Sequence, residues 1–156
     1  MIPIQEAIDT GAWLRGEFVE EWEDNRVITF QIKLKEFSKI ELATVDNPEN
    51  ISDGIRLDAN VWLLKCDIVN LSKYEAMSLR ITHKLCLVDE DDYEFMIVRE
   101  SHLTLSSDFA EKSELKNFYA AMLPPKIRRS GAILFELPEF FEHLSIKVSG
   151  GSINEL

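Results

Sequence analysis

Cysteine is scarce in this chain: Cys66 and Cys86 are the only two among 156 residues. Two cysteines in a chain of this length do not make a disulfide framework. Histidine is nearly as rare. His83, His102 and His143 are scattered, with no H-x-H or H-E-x-x-H spacing to mark a metal site. No run of 18 apolar residues exists, so no membrane-spanning helix is expected. The start, MIPIQEAIDTGAWLRG, lacks a cationic stretch followed by an apolar run, so it does not read as a secretory signal. The chain therefore reads as cytoplasmic, with a secreted origin after removal of a leader left open. No G-x-S-x-G elbow and no phosphate loop occur. Ser149-Gly150-Gly151-Ser152 lacks the strand-turn-helix context such a loop needs. The sequence therefore reads as non-enzymatic, with no cofactor. Basic residues are also in deficit: Lys plus Arg is 17 against 28 for Asp plus Glu, so the net charge is 17 − 28 = −11. Nucleic acid and anionic membrane surfaces attract the opposite sign, so neither is expected as a partner.

Hydrophobic residues make up 46% and charged residues 29%, which places the chain among globular proteins. Folding at this size buries about two thirds of the chain's surface, enough for a core without metals or disulfides. Much of the chain alternates with period two. Ile28, Phe30, Ile32 and Leu34 alternate with Thr29, Gln31, Lys33 and Lys35, and Ile40 and Leu42 begin a second short strand. Residues 46–60 carry the Asp, Asn, Pro and Gly of a loop. Trp62, Leu64, Cys66 and Ile68 form one face of a strand over 61–70, and the mixed opposite face predicts a central position. That reading buries Cys66 and puts Cys86 on the other face of its own strand, so both read as structural thiols. Met77 to Leu87 alternates as one long strand ending at Asp89-Glu90-Asp91-Asp92, and Tyr93, Phe95 and Ile97 return from it. Leu103 and Leu105 extend that return. Leu115, Phe118, Tyr119 and Met122 are spaced for a helix, predicted over about 109–122 behind an Asp108/Glu111 capping box. Two last strands hold Ile133, Phe135 and Leu137, then Leu144, Ile146 and Val148, joined by Glu139-Phe140-Phe141-Glu142.

The expected fold is all-β, an immunoglobulin-like sandwich of about seven strands with one short helix and an added N-terminal segment. Residues 1–25 read as an acidic extension packed on the domain, as a helical turn or a strand. Residues 26–149 read as the sandwich, and 150–156 as a frayed tail.

Residues 61–95, VWLLKCDIVNLSKYEAMSLRITHKLCLVDEDDYEF, and 123–148, LPPKIRRSGAILFELPEFFEHLSIKV, carry a resemblance. Together they resemble the bacterial immunoglobulin-like domains of unknown function found mostly in lipoproteins and secreted proteins, whose label mentions a telomeric-repeat-binding factor. The shared punctuation is Asn70, the acidic turn, Leu123-Pro124, Gly131, Phe135-Glu136-Leu137-Pro138 and the strand Leu144 to Val148, with Phe30 to Leu34 as the first strand. The resemblance spans about 26–149. It implies an immunoglobulin-like sandwich and a binding or scaffolding role. The sequence departs from the family in lacking a Gly in the acidic turn, in having a second Pro at Pro125, and in lacking a lipoprotein leader. The net charge speaks against carrying over any duplex binding.

The candidate interaction surface consists of the aromatics Trp13, Phe18 and Trp22 and the basic cluster Lys126, Arg128 and Arg129, which is placed in the turn before the Gly131 strand. Tryptophan and tyrosine are the usual interface anchors, and the basic cluster is suited to neutralising the acidic N-terminal segment or to contacting an anionic partner. An acidic surface suits a basic protein partner, and self-association through the N-terminal aromatics is a second version. The alternative from another class is a Ca²⁺-binding or hydrolytic domain using the acids at 89–92 with His83 or His102. Calcium needs six to eight oxygens converging on one point, and four consecutive acids on a turn do not all converge.

Overall fold

The computed structural model describes residues 1–21, 24–40, 60–98, 118 and 122–156. A two-residue strand, β1 (Ile2–Pro3), leads into helix α1 (Ile4–Thr10) and strands β2 (Trp13–Glu20) and β3 (Arg26–Ile40). Next come β4 (Val61–Asn70), β5 (Ala76–Met77), helix α2 (Ser78–Thr82), β6 (Leu85–Val88) and β7 (Glu94–Met96). The chain ends with β8 (Met122–Leu123), β9 (Arg128–Glu136), β10 (Ser145–Val148) and β11 (Gly151–Glu155). The larger sheet has the order β11-β2-β3-β4-β9 and the smaller β1-β10-β6-β7, while β5 and β8 pair separately. Both sheets are antiparallel, and their facing sides enclose one core. The fold is an immunoglobulin-like β-sandwich.

The period-two pattern explains the central strands. Ile28, Phe30, Ile32 and Leu34 of β3 and Leu64, Cys66 and Ile68 of β4 all point into the core. Burying each large aliphatic or aromatic side chain contributes about 1.5–3 kcal/mol. The register slips between Leu34 and Glu36, where Lys35 is the extra residue of a bulge. Phe37 therefore returns to the inner side and stacks on Trp62 at 4.8 Å between ring centroids. Gly16 makes room for the Phe30 ring, since a Cβ there would sit 2.3 Å from Phe30 Cζ. Gly131 does the same for Phe118, at 2.6 Å.

Several expectations are corrected. The long strand over 77–87 is interrupted: Ser78–Thr82 is helical, and the adjacent Ile81 and Thr82 are both buried. A five-residue helix has too few positions for its period to show against an alternating background. Arg80 on this helix donates through Nη1 to Glu20 Oε2 at 3.1 Å, an inward-facing acid at the end of β2. The short strand begun at Ile40 is the end of β3, carried past the bulge. The N-terminal segment, expected as a helical turn or a strand, forms both, with β2 between β11 and β3, whereas residues 151–155, expected to fray, pair with β2 along their whole length. Gly150, at φ 68°, turns the chain between β10 and β11 and so from one sheet to the other. Arg128 and Arg129 lie within β9 rather than in the turn before it. The helix expected over 109–122 falls largely outside the described residues, and its last residue, Met122, belongs to β8. Leu42, Leu103 and Leu105 also lie outside them. Among the described residues no helix is long and apolar enough to cross a membrane.

Candidate functional site

The two predicted clusters meet at one point. Odd-numbered residues of β2 point away from the core, so Trp13 lies on the outer face of the larger sheet. There the Arg128 guanidinium carbon stands 5.3 Å from the Trp13 ring centroid. Asp67, wholly buried on the same face, accepts from Arg128 Nε at 2.9 Å and also from Nη2. Its other oxygen accepts from Ser130 Oγ at 2.5 Å and faces Lys35 Nζ at 3.4 Å. Burial pushes the Asp67 carboxyl up. The Ser130 hydroxyl and the Arg128 and Lys35 charges outweigh it and hold the group below the ordinary carboxylate range.

The other predicted residues are placed differently. Phe18 has even parity on β2, so it lies in the core, 6.3 Å from Phe30 between centroids, and is not on a surface. Trp22 lies outside the described residues. Lys126 and Arg129 are exposed. Lys126 adopts φ 65°, and its N–H donates to Asn70 O.

A second surface, which the sequence reading treated as solvated punctuation, is more distinctive. The β6–β7 hairpin is closed by its own first acid: Asp89 Oδ1 accepts from the N–H groups of Asp91 and Tyr93 at 3.0 and 2.9 Å. Asp92 takes the left-handed conformation at φ 64°, which aspartate tolerates better than most residues. Glu90 reaches across to the β9–β10 loop, accepting from Glu142 N–H at 3.2 Å and His143 N–H at 3.4 Å. Its own backbone N–H, then those two N–H groups and the His143 charge, draw its pKa below the usual value.

The loop is pinned at its other side as well. Phe141 packs edge-on against Trp62 at 5.4 Å, and Asn60 Nδ2 donates to Pro138 O at 2.8 Å. With Phe141 turned inward, its neighbour Phe140 is left 84% exposed. Tyr93, on the hairpin that Glu90 ties to this loop, is 68% exposed. Around them stand the exposed acids Glu90, Asp91, Asp92, Glu94, Glu139 and Glu142, with Lys147 paired to Glu94. The result is an anchored acidic surface carrying two bare aromatic rings. The sequence held one usable signal, the doublet Phe140-Phe141 between two glutamates, where a turning chain buries only one of two adjacent rings.

The acids at 89–92 do not converge, because Asp89 and Glu90 are turned to separate backbone donors. His83 sits at the opposite end of β6 from Asp89, and His102 lies outside the described residues. Among the described residues no group of three His, Cys, Asp or Glu side chains is placed to hold a metal ion. Cys66 and Cys86 are both buried, on different sheets, and are not joined by a disulfide. Burial, with the Glu94 charge, pushes the Cys86 thiol up.

No family model matches the sequence, and no curated protein matches it. Two solved structures are similar. One is MPT63, a secreted protein from Mycobacterium tuberculosis, with a TM-score of 0.52 and 8% identity over 90% of each chain. The likeness is one of fold. The second, a Bacillus subtilis protein described as a lipoprotein (YcdA), has a TM-score of 0.47 and 11% identity, over 90% of this chain and 38% of that one. Of what the resemblance to the bacterial immunoglobulin-like domains implies, the likeness to MPT63 supports the sandwich fold.

Proposed function

We propose that the protein is a non-catalytic binding module that takes a basic protein partner on the acidic surface formed by the β6–β7 hairpin and the 137–144 loop. The observation that carries this reading is Phe140, 84% exposed on a loop held by Phe141 and Glu90. A large apolar ring held in water by a fixed loop gains its burial energy only when a partner covers it, and aromatic anchors of this kind carry most of the energy at protein interfaces. The surrounding carboxylates steer a basic partner and disfavour an acidic one. Asp89 and Glu90 serve as acceptors for backbone N–H groups, which supports a recognition role over a calcium-binding or hydrolytic one.

The test is a selection from displayed random peptides against the wild-type protein and against Phe140→Ser. The expected result is enrichment of Lys/Arg-rich peptides whose affinity falls at least tenfold with Phe140→Ser, at unchanged melting temperature. Enrichment with no basic bias, or affinities indifferent to Phe140→Ser, would sink the reading.

A further inference from the structure

Part of the outer face of the larger sheet has the opposite sign, in two rows flanked by the exposed Glu17 and by Glu36, which pairs with Lys65. Strand register aligns Arg15, Gln31, Val69 and Arg128 in one cross-strand row, and Trp13, Lys33, Asp67 and Ser130 in the next. The one acid in these rows, Asp67, is buried beneath Arg128, so the charges that the rows present to solvent are cationic. Lys35, exposed at the bulge, adds another. With strands about 4.8 Å apart, Arg15 and Arg128 stand about 14 Å from each other. Arg128 is held in place from two sides, by Asp67 and by the Trp13 ring, so little side-chain freedom remains to be lost on binding.

We propose that this face receives the Asp89–Asp92 hairpin tip of a second copy of the chain. The proposal rests on the reading of the acidic surface above and names a partner for it. Charge complementarity carries it: the exposed Asp91 and Asp92 of the turn match Arg15 and Lys33, with Arg128 and Lys35 held close by on Asp67 and the exposed Tyr93 placed to meet Trp13. A copy's own tip is not at its own face. The chain leaving β7 pairs at Ile97 with Phe135, seven residues along β9 from Arg128, a distance of about 24 Å in an extended strand. The two surfaces differ, so the contact is heterologous and each copy offers one of each. At physiological salt the Debye length is about 8 Å, so repulsion between two chains of charge −11 is largely screened while contact pairs persist.

The experiment is sedimentation velocity on the full chain and on two variants. Arg15→Glu with Lys33→Glu damages the face without touching the buried Asp67 pair. Asp91→Lys with Asp92→Asn damages the tip and leaves Asp89 and Glu90 in place. Wild type is expected to gain mass with concentration, each variant alone to stay monomeric, and their equimolar mixture to form a 1:1 dimer, since one supplies the intact tip and the other the intact face. Wild type monomeric up to about 1 mM, or a mixture that stays monomeric while wild type associates, overturns the proposal. The acidic-surface reading is scored separately, because the face variant still carries the tip and should still bind the selected basic peptides.

Discussion

Asp67 and Asp89 are the same side chain in two settings. Asp67 lies on the outer face of a central strand, wholly buried, and answers to Arg128, Ser130 and Lys35 from the strands on either side. Asp89 stands at a hairpin and answers only to N–H groups two and four residues along its own chain. One carboxylate ties strands together, and the other shapes a turn. What separates them is the cost of losing a partner, which is high where water cannot take its place and low where it can.

The largest break in that comparison is expected from Asp67→Ala. It removes the acceptor that Ser130, Arg128 and Lys35 share, and since the two cations are partly exposed and can be solvated, the cost in denaturant unfolding should be about 2–3 kcal/mol. Gly16→Ala comes next, because the added Cβ runs into the Phe30 ring; about 1–3 kcal/mol of lost stability, with a normal β-rich circular dichroism spectrum, is expected. Acid titration sharpens the contrast. The Asp67 pKa is depressed in the folded state, so its contribution is present above the unfolded value of about 3.9 and is lost as pH falls through the folded value. Asp67→Asn should flatten that part of the stability profile below about pH 4, and an unchanged acid slope would refute the assignment. Asp89→Ala should cost only about 1 kcal/mol, the net worth of its hydrogen bonds at an exposed turn. Phe140→Ser should leave the melting temperature unmoved while removing partner binding.

The strands read best from the sequence are those whose pattern is long and whose surroundings are uniform. Strand β4 is legible at 61–70 with its central position, because ten residues of alternation with both faces partly apolar leave few other solutions. Strand β11 has the local pattern of a tail, because Gly151–Glu155 offers a single apolar residue, Ile153. Its place is assigned by Leu14 to Phe18, more than 130 residues earlier in the chain. The candidate surface was half legible. Trp13 and Arg128 were singled out separately, and their contact follows from the β2–β3–β4–β9 register, which no local pattern carries.

The sequence by itself determined the β class, the core-facing sides of β3 and β4, the acidic turn and the isolation of the two thiols, since each follows from local alternation or composition. Only the tertiary structure decided that Phe18 lies inside and Phe140 outside, that Glu90 joins the hairpin to the loop, and that scattered cations share one sheet face. Those outcomes depend on strand order and register, which bring together residues as distant in the chain as Trp13 and Arg128 through backbone pairing that is blind to local side-chain sequence.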